Sequence, residues 1–161
     1  MSLDVLSERG QQSVLQEDRA IELFEENTPN ARFIRTNKST PALLDGIILI
    51  RGELSAVAEV KCRNETLDRM VNHYRNEWLL TADKVFAGFD AHRLFSVGTV
   101  GLLYLVPDDL VMVVWIIRGD GQLMSSMRME STRTQRTING GSAVRNNCYI
   151  NLTGARICRS V

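Results

Sequence analysis

Two apolar runs joined across a glycine, with acids and a lysine at their far ends, constrain this chain more than any other segment. The stretch reads Asp45-Gly-Ile-Ile-Leu-Ile-Arg-Gly-Glu-Leu-Ser-Ala-Val-Ala-Glu59-Val-Lys61-Cys-Arg. The first run ends at Ile50, Gly52 sits at the expected turn, and Ala56 to Val60 forms the second run. That pattern predicts a β-hairpin. Alternate residues of a strand share a face, so Glu59 and Lys61 point one way and Val60 and Cys62 point into a core. Charges beside an apolar interior are costly unless they hold a metal or do chemistry.

Register decides whether Asp45 joins them. It shares the face of Glu59 and Lys61 only with an odd loop, pairing Ile50 with Leu54 (loop Arg51 to Glu53) or with Ala56. A three-residue loop with a central glycine is an ordinary connection. An even loop is expected to turn Asp45 to the opposite face.

Before the hairpin, Ser13-Val-Leu-Gln16 has the form of a capping box and predicts a helix to about Asn27, stopped before Pro29. Ala20, Ile21, Leu23 and Phe24 form its apolar stripe, and Glu17 falls near the middle of that stripe. An acid there asks for a partner. Ala31 to Thr36 reads as a first strand, with Pro41 in the connection that follows.

After the hairpin, Leu67, Met70, Val71, Tyr74 and Trp78 recur at helical spacing, and Thr81 can cap a second helical piece with Val85, Phe86 and Phe89. Thr99 to Val106 and Leu110 to Ile117 are β-branched-rich strands around Pro107-Asp108-Asp109. Beyond Arg118 the texture is polar. Gly119-Asp-Gly121 reads as a turn, Asn139-Gly-Gly as a second, and Cys148 to Leu152 as a short strand. The expected architecture is one α/β domain over 1–161: a core at about 13–117 and a polar C-terminal hairpin extension at about 118–161.

The 161 residues are 44% apolar, enough for a real core, with no apolar stretch of membrane-spanning length and no signal-peptide pattern at the N-terminus. The cysteines at 62, 148 and 158 lack metal-site spacing and read as small buried side chains, so the expectation is a reducing, cytoplasmic setting. Net charge is zero but unevenly spread. Residues 1–30 carry seven acids against two arginines, whereas residues 118–161 carry seven arginines against two acids. Arginine suits bidentate phosphate contact.

Carboxylates from neighbouring strands suit a hard cation such as Mg²⁺, with Mn²⁺ as its substitute. Asp45 and Glu59 are the expected ligands, with the Val60 carbonyl and Glu17 as further candidates. Lys61 would orient or activate a water, or offset charge on a phosphate. Arg63, Lys84, Arg133, Arg136 and Arg145 are the candidate phosphate contacts. His73 and His92 have no partner at ligand spacing. Tyr74 and Trp78, one helical turn apart, would make a stacking platform, although packing against the sheet is the simpler role.

Asp45, the Glu59-x-Lys61 tripeptide, an acid on a preceding helix and the order of elements resemble the PD-(D/E)XK nuclease superfamily. The resemblance covers about residues 13–106 and implies a restriction-endonuclease-like αβββαβ core, a central mixed sheet flanked by helices. It implies Asp45 and Glu59 as metal ligands, Lys61 as the catalytic lysine and Glu17 as the helix-borne acid. Leu44 stands where a proline is common in that superfamily, and no glutamine–tyrosine pair follows on the next helix. The activity implied is Mg²⁺-dependent hydrolysis of DNA; the near-neutral charge and small size suggest a homodimer or a larger nucleic-acid-processing assembly, and the lack of a membrane-length apolar stretch suggests no membrane partner. The alternatives are a catalytically inactive nuclease-fold module for DNA binding or assembly, and a nuclease acting on RNA.

Overall fold

A parallel pair of strands, joined by a long crossover, organises the molecule. The computed structural model describes residues 7–36, 44–123, 127–133, 141 and 144–161. The chain begins with helix α1 (Glu8–Glu26) and strand β1 (Ala31–Arg35). The hairpin is β2 (Gly46–Ile50) and β3 (Glu53–Arg63). The crossover contains a short helix α2 (Leu67–Asn72), strand β4 (Glu77–Thr81) and helix α3 (Ala82–Phe95), and it leads into β5 (Gly98–Leu105). β6 (Leu110–Ile117), β7 (Met127–Arg133), β8 (Val144–Asn151) and β9 (Arg156–Arg159) follow. Six strands form one sheet in the order β1-β2-β3-β5-β6-β9, and β4-β8-β7 form a second. In the large sheet only β3 and β5 run parallel. The result is an α/β architecture with a mixed sheet.

α1 starts six residues earlier than the Ser13 capping box predicts. Ser7 is the cap, and its hydroxyl accepts from the Gly10 N–H at 3.1 Å. Both serines can cap, and the earlier one adds a further stretch of helix, so Ser13 lies inside. The helix ends at Asn27, whose side-chain amide donates back to the Leu23 carbonyl at 2.8 Å. Ala20, Leu23 and Phe24 are buried as expected, and they pack on Ile48, Ala56, Ala58, Val60 and Leu102 across one face of the large sheet.

The hairpin reaches the expected facing by another route. Ile50 pairs with Glu53 around a two-residue turn, Arg51-Gly52, both at positive φ, which suits the right-handed strand twist. That even loop alone would put Asp45 on the wrong face. A register shift corrects it: Leu49 pairs with Leu54 but Ile48 with Ala56, leaving Ser55 as an extra residue. The pairing then runs on to Gly46 and Ala58, and Asp45, just before it, donates its N–H to the Ala58 carbonyl at 2.9 Å, next to Glu59 in the chain of β3.

The opposite face of the sheet carries α3 and the small sheet. Trp78 is not helical. It sits in β4 opposite Ile150, and Leu80 opposite Cys148, with both pairs buried. Trp78 packs against the backbone of Gly101, where any Cβ would collide with its ring. A stacking platform of Tyr74 and Trp78 is therefore ruled out, since Trp78 is 1% exposed. α3 begins at Thr81, as expected, although without a side-chain capping bond.

The C-terminal region is more than a polar hairpin extension. β7 and β8 do pair as a hairpin, but β8 also pairs with β4, and β9 adds an edge strand to the large sheet. Cys148, Ile150 and Leu152 are at most 2% exposed and complete the core under the small sheet. The Asn139 turn and Pro41 lie outside the described residues. Among the described residues no helix is long and apolar enough to cross a membrane.

A chain ended after Gln122 would lose those three side chains and Cys158. Large-to-small changes at such sites cost about 2–5 kcal/mol each, which together approaches the whole stability of a domain of about 5–15 kcal/mol. The truncated chain is expected to show no cooperative transition in urea by circular dichroism. A full-length-like midpoint would show that the C-terminal strands are dispensable.

Candidate metal and phosphate site

Glu59 is 0% exposed, and among the described residues its carboxylate oxygens meet no hydrogen-bond donor other than nearby ammonium groups. β3 directs it to the face covered by α3, beside Gly101 in the parallel register and next to the Trp78 ring. Lys84, in the first turn of α3, brings its ammonium 3.1 Å from Glu59 Oε2, and Lys61 stands 3.6 Å from Oε1. These two cations offset part of the burial. Even so, the Glu59 carboxyl is pushed up to about 7, first by desolvation and then by the facing Asp45.

Asp45 sits where β2 ends. Its Oδ2 accepts from the Val60 N–H at 2.7 Å, which ties the strand end down just beyond the last ladder pair. A strand residue directs its N–H and C=O to the same side. The Val60 carbonyl therefore points to the same side of the strand as its N–H, toward Asp45. Two carboxylates from adjoining strands and a backbone carbonyl make a hard, oxygen-rich donor set. The buried Glu59 oxygens, met among the described residues by ammonium groups alone, fit a divalent cation.

A polar cleft of about 630 Å³ adjoins the site, lined by Arg9, Gln16, Glu17, Lys61, Arg63 and Asn64. Lys61 thus touches both the acid pair and open solvent. Arg63 follows on the same strand face, with no ion pair among the described residues.

Sequence reasoning gathered most of this set but not all of it. Glu59 and Lys61 share one strand face as expected, and Asp45 stands close enough to act on the Glu59 carboxyl. Lys84, expected only as a phosphate contact, is the nearest cation to Glu59. Glu17 lines the polar cleft beside Lys61. α1 lies on the other face of the sheet, where the Glu17 carboxylate pairs with Arg35 at 2.6 Å. It also acts on Cys62, whose thiol is pushed up to about 12, chiefly by burial and then by Glu17. No cluster of three or more acids, histidines or cysteines gathers among the described residues. Arg133 and Arg145 are exposed on β7 and β8, and Arg136 lies outside the described residues. His92 packs with its Nδ1 3.3 Å from the Val97 carbonyl, in keeping with a packing role. Arg9 was missed, since it precedes the expected start of the helix that carries it into the cleft.

Comparison with family models, curated proteins and solved structures finds no match for the chain.

The raised Glu59 pKa gives a stability signature. The folded state binds this proton more tightly than the unfolded chain, where the ordinary value is 4.5. The contribution is fully present below about pH 4.5 and is lost as pH rises through about 7. In metal-free buffer, melting of the wild type is expected to weaken from pH 5 to pH 8 relative to Glu59→Gln, so the gap opens in favour of the variant. Parallel melting curves would contradict the assignment.

Proposed function

We propose that the chain is a metal-dependent nuclease hydrolysing phosphodiester bonds in DNA, with Mg²⁺ or Mn²⁺ held by Asp45, Glu59 and the Val60 carbonyl. The observation that carries this reading is the buried Glu59 carboxylate facing Asp45, with Lys61 between the pair and an open polar cleft. The order α1, β1, β2, β3, α3, β5, with β3 and β5 parallel, also supports a restriction-endonuclease-like core. α2 and β4 are then an insertion before the second core helix.

Phosphodiester hydrolysis asks for positioning and charge. A bound divalent cation would polarise the phosphoryl oxygen and lower the pKa of an attacking water. The chain's own residues do the rest. Asp45 and Glu59 present their oxygens from adjoining strands, held in place by the Val60 hydrogen bond and the ladder. Lys84 holds the Glu59 carboxylate from the α3 side. Lys61, half-exposed at the cleft, faces the scissile phosphate, where its ammonium offsets charge that grows in the transition state. Arg63 and Arg9 receive the flanking phosphates, which set the strand's register without reading its sequence. Arg133 and Arg145 supply a more distant backbone contact.

One observation favours a second reading. Lys84 at 3.1 Å already gives Glu59 a cationic partner, as a catalytically inactive DNA-binding or assembly module would need.

The discriminating experiment incubates single-stranded, double-stranded and branched DNA, and RNA, with the protein in Mn²⁺ and in EDTA. Cleavage of DNA in Mn²⁺ alone is expected. Lys61→Ala should reduce it by about 10²–10³-fold, the scale for removing one group that stabilises transition-state charge. Binding in EDTA should largely survive. Undiminished cleavage by the variant would remove Lys61 from the mechanism, and cleavage by neither protein would favour the inactive module.

A further inference from the structure

The face of β3 that carries Glu59 and Lys61 runs on to Arg63, about 13 Å beyond Glu59 at the rise of an extended strand. There it opens into a second cavity of about 440 Å³, separate from the polar cleft. This volume lies within the range of small-ligand pockets. Its floor is apolar, made of Met70, Trp78 and Leu79.

The walls are aromatic and held in place. Leu79, Tyr149 and Arg128 occupy one row across β4, β8 and β7. The Arg128 guanidinium lies 4.0 Å over the Tyr149 ring, and Glu77 anchors it from the side at 3.4 Å. On the other wall the Tyr74 hydroxyl donates to Glu65 at 3.0 Å, and the His73 ring meets the Tyr74 ring edge-on at 4.7 Å. Arg75 and Asn76, which follow, both adopt positive φ, a strained pair for non-glycine residues. Arg63 and Arg75 line the cavity and make no ion pair among the described residues.

We propose that this cavity receives one unpaired nucleobase of the strand whose phosphates run along Lys61 and Arg63, which makes the preferred substrate single-stranded or locally unpaired. The proposal rests on the nuclease reading for its strand path. Its chemistry is independent of cleavage. A nucleobase offers a flat π-face, which stacks on an aromatic ring or on a guanidinium plane such as that of Arg128 over Tyr149. Arg63 and Arg75 at the rim suit the phosphates on either side of the base. A base inside a duplex could not enter, because its faces are already stacked and its edge paired.

The test uses the full chain in EDTA, so that no cleavage occurs. Three labelled probes of equal length are compared by fluorescence anisotropy: a single strand, the same strand with its central bases removed as abasic sites, and a duplex. The single strand is expected to bind about tenfold or more tightly than the abasic strand, the scale of one base stacked on an aromatic side chain. Tyr149→Ala and Tyr74→Ala should bring the single strand down to the abasic affinity while leaving abasic binding unchanged. An unchanged melting temperature would show that the variants are folded. The chain has two tryptophans, Trp78 and Trp115. In a Trp115→Phe background, quenching of Trp78 by the single strand, but not by the abasic strand, reports occupation of the cavity.

Equal affinity for the single and abasic strands would overturn the proposal. So would tyrosine variants that lose both equally, or a mononucleotide that quenches Trp78 as strongly as the strand at equal concentration. Base-dependent binding by a protein that never cleaves would sink the nuclease reading and leave the pocket standing. Cleavage that ignores both tyrosines would do the reverse.

Discussion

The parallel pairing of β3 with β5 is the constraint from which the rest of the structure follows. Parallel strands cannot be joined by a tight turn, so the chain must leave the end of β3, cross a face of the sheet and return. Here the crossover carries α2, β4 and α3, and all three pack on the face that holds Glu59. β4 then recruits β8 and β7 from the C-terminal region into the second sheet. The same connection sets Lys84 against Glu59 and Trp78 against Gly101. Glu59 is therefore buried by the topology itself.

Burial of a carboxylate in this position sets the electrostatics of the whole region. Two ammonium groups and the facing Asp45 act in opposite directions, and desolvation outweighs the cations, so the proton is held to about pH 7. A site in that condition gains from any group that neutralises Glu59, whether a proton or a divalent cation. The frame around it is rigid. Arg19 clamps Asp109 with two bonds, at 3.0 and 2.7 Å, and Tyr104 donates to the same carboxylate at 2.8 Å, fixing α1 to the turn between β5 and β6. Asp108 of that turn accepts from the Leu67 N–H at 2.7 Å and fixes the start of α2. The turn thus ties both faces of the sheet to one point.

Much of this was legible along the chain. The apolar runs of β2, β3, β5 and β6 are local signals, as is the stripe of α1, and the shared face of Glu59 and Lys61 follows from the two-residue period. What escaped depends on contacts between distant segments. The shift at Ser55 leaves the composition of both runs intact, so the apolar pattern does not reveal it, yet it decides the facing of Asp45. Trp78 fits a helical spacing from Tyr74 and an alternation with Leu80 equally well. Its strand character comes from pairing with β8, far along the chain. The polar surface of β7 and β8 masked the inward alternation of Cys148, Ile150 and Leu152. Glu17 was read from its place on the buried stripe of α1, which does not reveal that Arg35 of β1 pairs with it.

The central claim is that Asp45 and Glu59 together bind a divalent cation. Crystals of the full chain soaked in Mn²⁺ and measured at the manganese absorption edge test it most directly. An anomalous peak between the two carboxylates and beside the Val60 carbonyl, absent from Asp45→Asn crystals treated alike, is the result this account predicts. A well-ordered site with the Lys84 ammonium still on Glu59 and no anomalous peak would contradict it.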